Sequence, residues 1–172
     1  MDRLLQSWRR SSISKNLLAN VQAMVNLSQA DAVDELKKAI EGRIQALANV
    51  HSLFVASRWI GAEVSTIAQQ ELAPYSATGE KHVRIDGPQV LLEPTAAQAI
   101  AVALHELATN AAKYSSLSVV NGLVDLKWSH EANGWLNLRW SETGGPTVQP
   151  PSRTGFGGRI IEQMIGQGAA PD

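Results

Sequence analysis

The apolar positions of this chain change their spacing as it is read, and each change marks a new kind of element. Over the first third they recur at helical intervals. Leu17, Leu18, Val21, Met24 and Val25 form one stripe, which Leu4, Leu5 and Trp8 extend upstream. After a break near SQADA (28–32), a second stripe follows: Val33, Leu36, Ile40, Ile44, Leu47, Val50 and Phe54. Its steps of three and four are those of a helix that packs on other helices. Asp34 and Lys38, at i and i+4, fall on its outer side. Two long helices joined by a short turn predict an antiparallel hairpin over residues 1–58. A lone hairpin buries a single seam, so pairing of two copies into a four-helix bundle would complete it. Packing against the rest of the same chain is the alternative.

From about Ile60 the pattern is mixed. GAEVSTIAQQELAPY (61–75) reads as a short helix ended by Pro74, and HVRIDGPQVLLEP (82–94) as two short strands around a Gly-Pro turn. Pro94 opens a helix running to about Tyr114, proline being well tolerated in a first turn. Leu123, Asp125 and Lys127 alternate with Val124, Leu126 and Trp128, and a second alternating run carries Leu136, Leu138 and Trp140. SHEANG (129–134) between them reads as a hairpin turn, with His130 in it. A Gly/Pro-rich connector, 143–158, then leads to one more helix, RIIEQMI. The order predicts an α+β domain over 59–172 behind the helix hairpin.

Composition narrows the function. Of 172 residues, 44% are hydrophobic and 18% charged, which fits a folded core and excludes wholesale disorder. The net charge is −1 and the basic pair Arg9-Arg10 has no extension, so no nucleic-acid footprint is indicated. With no cysteine, thiolate catalysis, cysteine-ligated zinc and disulfides are excluded. No apolar run approaches the roughly 18–20 residues that span a bilayer. A soluble cytoplasmic protein is the expectation.

The candidate chemistry begins in HELATNAAKY (105–114). On a helix, Glu106, Asn110 and Lys113 stand at i, i+4 and i+7 and share a face. Such a row suits a magnesium–triphosphate: Asn110 offers an oxygen to Mg²⁺, Lys113 neutralises phosphate, and Glu106 orients water or takes a proton. A solvated polar face would explain the row equally well by itself. Two glycine clusters shift the balance. WSETGGP (140–146) ends a strand with Glu142, Gly144 and Gly145, and TGFGGR (154–159) opens a helix with Gly155, Phe156 and Gly157. Glycine there lets backbone approach a ligand closely, and a helix N-terminus favours phosphate. Glu142 is placed to accept a hydrogen bond from an exocyclic amine such as that of adenine.

With these residues in view, the chain resembles the HWE family of bacterial sensor histidine kinases, whose ATP-binding half belongs to the GHKL group shared with gyrase-type ATPases. His105 and Glu106, with Trp140-Ser141-Glu142, carry the resemblance. It implies a GHKL-type (Bergerat) α/β sandwich whose N box is His105, Glu106, Asn110 and Lys113. The glycine boxes would be Glu142 with Gly144 and Gly145, and Gly155, Phe156 and Gly157. Eleven residues, Thr143 to Arg153, separate Glu142 from Thr154, which suits a short nucleotide lid. The implied activity is transfer of the γ-phosphoryl of ATP, with Mg²⁺, to a histidine of the hairpin, then to a response-regulator aspartate. A homodimer would be held through the hairpin.

The chain departs from that pattern in two places. Lys15-Asn16 of the phosphoacceptor motif are present, but Ser12 stands where the acceptor histidine would be. A phosphoserine ester lacks the labile P–N bond that lets the phosphoryl move on. The chain also stops in a Gly/Ala/Pro tail where further strands would complete the sheet, so a truncated ATP-binding domain is expected. No sensor domain is expected ahead of the hairpin in this sequence. Two readings follow: an active kinase core, or a descendant that binds nucleotide or a receiver domain without autophosphorylating. A GHKL-type ATPase with Glu106 activating water is a third, opposed by the hairpin. Among the other histidines, His51 reads as a bundle residue rather than a substitute acceptor, and His82 precedes a strand. Trp128, Trp135 and Trp140 read as packing. Tyr114 would approach the adenine or ribose, or simply end its helix. Arg153 and Arg159 would touch phosphate or lie on the surface.

Overall fold

A computed structural model describes residues 19, 21–22, 33–76, 82–131 and 135–146. Ser12, Gly155, Phe156, Gly157, Arg153, Arg159 and the first predicted helix lie outside these apart from Ala19, Val21 and Gln22.

Helix α1, Val33–Ala56, is the second stripe of the sequence. The stripe divides in two. Leu47, Val50 and Phe54 are fully buried, whereas Val33 is 82% and Ile44 42% exposed. Between the halves, the side turned to the rest of the fold carries a charge, Arg43, and buries it. The chain leaves α1 through Arg58 and Trp59 at φ 53° and 70°. Two successive left-handed residues cost roughly 1–2 kcal/mol each. The reversal is held by the Trp59 N–H on the Phe54 carbonyl at 2.6 Å and by the Trp59 ring set edge-on to His51.

Strand β1, Ala62–Glu63, and helix α2, Val64–Ser76, occupy the segment expected to be a helix ended by Pro74. Both of its ends differ from that expectation. Ala62 and Glu63 pair antiparallel with Leu92 and Leu91 of β3 (Leu91–Leu92), and the Val64 N–H reaches the Val90 carbonyl. These backbone partners are remote in sequence and pull the first residues out of the helix. At the other end Pro74 lies inside the last turn, which continues to Ser76, whose hydroxyl donates to the Leu72 carbonyl at 3.1 Å. Burial of Val64, Ile67 and Leu72 outweighs the one hydrogen bond that proline removes.

Both strands expected in HVRIDGPQVLLEP exist, but they belong to different sheets. β2, Val83–Asp86, runs parallel to β4, Leu123–His130, which pairs antiparallel with β5, Leu136–Thr143. Gly87 crosses over the face of Trp128, whose indole donates to the Pro88 carbonyl at 2.7 Å. A Cβ at Gly87 would stand 2.4 Å from that ring. His130 is not in the hairpin turn: it is the last residue of β4, paired with Leu136. β4 buries Val124, Leu126 and Trp128 and turns Leu123, Asp125 and Lys127 the other way, following the alternation of its sequence.

Helix α3, Pro94–Tyr114, begins with proline in its first turn as expected and is buried on most sides from Ala97 to Leu104. Its run of alanines lets neighbours approach closely: α1 and α2 both pack on it. One apolar core joins Val50 and Phe54 of α1, Ile67 and Leu72 of α2, Ile100 and Leu104 of α3, and Leu126 and Trp128 of β4. Full burial of such side chains is worth about 1.5–3 kcal/mol each. The result is the mixed helix-and-sheet fold expected, with α3 central and its last turn at the surface.

Candidate functional site

The face of α3 that carries the polar row changes environment along its length. At its inner end, Glu106 is buried and takes a two-pronged ion pair from Arg43 of α1, with Nε–Oε1 at 2.7 Å and Nη2–Oε2 at 2.9 Å. One turn on, Asn110 is exposed, and so are Lys113 and Tyr114. Helix α1 covers the first position and leaves the later ones open. The row therefore does not form one accessible surface: the acid points into a helix–helix contact, and the amide and amine face outward.

His105 belongs to the same contact. Its Nδ1 lies 3.1 Å from Glu71 Oε2 of α2, a hydrogen bond when that nitrogen holds the proton. The other Glu71 oxygen accepts from the Asn49 amide at 3.4 Å. The far edge of the imidazole rests on Gly42, where a Cβ would come within 2.5 Å of Nε2. Only glycine allows α1 to pass so near. Arg43, Asn49 and Glu71 were not singled out from the sequence, yet two of them carry a signal. Arg43 lies three residues past Ile40 and four before Leu47, and Glu71 lies four past Ile67, so both charges sit at core-facing helical positions.

The second half of the site forms where β5 ends. Trp140 and Glu142 stand two apart and share one face of the strand, and the Trp140 indole N–H donates to Glu142 Oε1 at 2.9 Å. The other oxygen accepts from Ser116, from its hydroxyl at 3.0 Å and its backbone N–H at 3.3 Å. Ser116 is fully buried in the 3-10 turn Ser116–Ser118 that follows α3. Burial pushes the Glu142 carboxyl upward. Hydrogen bonds from Trp140, from the Ser115 hydroxyl and from both groups of Ser116 outweigh it, so its pKa lies below the ordinary value. Gly145 presses against the same turn, where a Cβ would meet the Ser116 nitrogen at 2.7 Å, and Gly144, at φ 72°, lies on Asn121, whose carbonyl oxygen a Cβ would meet at 2.4 Å. Both glycines allow close backbone packing at this end of β5. Glu142 and Gly145 are brought to the turn that leaves the Asn110–Tyr114 end of α3, and Gly144 lies beside Asn121 and Gly122.

Among the described residues no group of three or more His, Asp or Glu could hold a metal, and no helix is long and apolar enough to cross a membrane. A magnesium site here would depend on one side-chain oxygen, that of Asn110, with phosphate and water as the rest. That donor set fits Mg²⁺, which keeps much of its water, and the exposure of Asn110 leaves room for it.

Residues 14–89 match the family model described as HWE histidine kinase, and 169 residues, 95% of the chain, align at 32% identity with a blue-light-activated histidine kinase of Brucella anthropi. Residues 14–89 carry the HWE histidine kinase family domain. A relative of the same description from Brucella ovis is 30% identical over 158 residues. The chain spans about one third of the length of these relatives, 34% and 32%. The fold is similar to that of the Erythrobacter litoralis EL346 blue-light activated histidine kinase, with a TM-score of 0.63, 16% identity, and 92% of this chain on 52% of that one. The histidine kinase domain of the same protein gives 0.57 at 14% identity, with 88% of this chain on 82% of that domain. The HWE match ends at residue 89, ahead of α3. The alignments to the Brucella kinases, covering 95% and 89% of the chain, reach beyond it into the His105–Tyr114 helix.

Proposed function

We propose that this chain is a histidine kinase core that binds Mg·ATP in its α/β part, residues 59–172. The γ-phosphoryl then passes to a histidine of a helix hairpin, residues 1–58, and on to an aspartate of a response-regulator receiver domain. The observation that carries the reading is the docking of Glu142 and Gly145 on the turn that follows the last turn of α3, where Asn110 and Lys113 are exposed. Lys113 would neutralise phosphate, Asn110 would hold the cation, Glu142 would receive the base, and Tyr114 would flank it. Gly155, Phe156 and Gly157 would close over the phosphates. Mg²⁺ held at Asn110 would supply positive charge against the charge that develops as the γ-phosphoryl is transferred. The rest is positioning. An imidazole nitrogen forms the P–N bond as the bond from the γ-phosphorus to the β–γ bridging oxygen breaks, and ADP departs. Glu106 reaches the reacting end only when it has parted from Arg43. Two hairpins would pair to make the dimer.

Ser12 favours a second reading, a nucleotide- or receiver-binding module that does not autophosphorylate. Incubation with γ-labelled ATP and Mg²⁺, of the unmodified chain and of its Ser12→His version, separates the two. Acid-labile label on the unmodified chain supports the kinase core and places the acceptor elsewhere. Label on the Ser12→His version alone supports a core that has lost only its acceptor. Binding of ATP with no label on either supports the module. Absence of ATP binding by both would sink the nucleotide site.

A further inference from the structure

The carboxylate of Glu142 is exposed, yet both of its oxygens are held by donors from two different elements. The two sets of bonds differ in what they accomplish. Those from Ser116 tie the end of β5 to the turn after α3 and so fasten one element to another. The bond from Trp140 fastens nothing, because donor and acceptor sit two residues apart on the same strand. Its effect is to fix the direction of the Glu142 side chain. A glutamate on a surface otherwise turns about three bonds, and each ordered rotamer of such a side chain costs conformational entropy. Fixing that direction serves an external donor, which then meets a carboxylate already aimed.

The geometry points to Trp140 and Ser116 as positioning residues for base recognition. They hold the Glu142 carboxylate so that its remaining acceptor capacity takes an N–H of a 6-aminopurine. This rests on the nucleotide site proposed above. A carboxylate has roughly four acceptor sites; Trp140 and Ser116 take three, and the fourth lies toward the Ser115 hydroxyl, which can turn away so that a ligand N–H takes its place. Of the bonds from Trp140 and Ser116, Oε1 takes one and Oε2 takes two. At the same place a 6-oxopurine would present a carbonyl oxygen to a carboxylate, two acceptors with no proton between them. Two facing acceptors of that kind are disfavoured. Trp140 therefore acts on selectivity through Glu142 and does not itself touch the base.

The test compares nucleotides that differ only at the 6-position. Titration calorimetry with Mg²⁺ would measure ATP, purine riboside triphosphate, which lacks the amine, and GTP. The proteins are the full chain, Trp140→Phe, Ser116→Ala, and Trp135→Phe as a control on an exposed indole of the same strand's approach. Trp140→Phe keeps the ring and removes the donor, and about a tenfold loss for ATP is expected. Its affinity for purine riboside triphosphate should stay within about twofold of the full chain's, and Trp135→Phe should change neither. Ser116→Ala keeps the backbone N–H, so a smaller loss of the same selective kind is expected, and thermal unfolding of each variant verifies that it is folded. Equal loss for both nucleotides in the two variants, or loss in neither, would overturn the positioning role and leave the nucleotide site standing. Failure of the unmodified chain to bind ATP would overturn both.

Discussion

Arg43 and Glu106 are the side chains on which the interior depends most sharply. Their side chains are 7% and 11% exposed, and each is satisfied by the other through two short bonds. Removing one partner strands the other, so Arg43→Ala should cost about 3–5 kcal/mol in denaturant unfolding. Replacing both with apolar residues of similar size should recover most of that loss. Gly42→Ala meets a different obstacle, since the new methyl would overlap the His105 ring. A cost of about 1–3 kcal/mol is expected, relieved in large part when His105→Ala is added, which a double-mutant cycle would register. Glu142 gives the pH prediction. Its lowered pKa means the folded state holds this carboxylate charged more readily than the unfolded chain does. The stabilisation is complete above the ordinary carboxylate range and is lost as pH falls through the lowered folded value. A carboxyl NMR titration should place Glu142 below ordinary glutamates, and Trp140→Phe should move it upward.

At the scale of elements, what was legible in the sequence depended on how far each element reaches for its partners. Helix α3 begins at Pro94 and ends at Tyr114, as proline and periodicity indicated, because its signals are local. The alternation of β4 and β5 identified a hairpin for the same reason. β1 and β3 have two residues each and exist through one another across a stretch of chain that no local pattern connects. The parallel pairing of β2 with β4 is equally remote, so the Gly-Pro turn looked like the centre of a unit when it is a crossing between sheets. The site divides along the same line. Glu142, Gly144 and Gly145 could be picked out by residue type and order, but that Ser116 grips the carboxylate required the turn after α3 to be seen in space. The exposed end of α3 supports a prediction of separable effects. Asn110→Ala should weaken Mg·ATP binding by tenfold or more, while the unfolding free energy stays within about 0.5 kcal/mol, as for other surface changes. Calorimetry and denaturant melts on one preparation would check both.

For the molecule as a whole, α1 is the element that belongs to two places. Beyond Leu47 it is part of the common core, and ahead of Arg43 Val33 is exposed and Leu36 and Ile40 are only half-buried. Where the two parts meet, Arg43 grips Glu106 and Gly42 lies under His105, the two residues that begin the polar row of α3. Hydrogen exchange should report this division, with Glu106→Gln speeding exchange in α1 upstream of Arg43 much more than at Val50 or Phe54. The same joint has a thermodynamic meaning. If the proposed nucleotide site calls upon Glu106, α1 and that nucleotide are linked, and linkage is symmetrical. Whatever free energy would be needed to lift α1 from Glu106 for nucleotide binding would be returned, to the same amount, as tighter binding once α1 has been lifted by other means. The ion pair would then be a conversion point, where the seat of a helix and the occupancy of a site are expressed in one quantity.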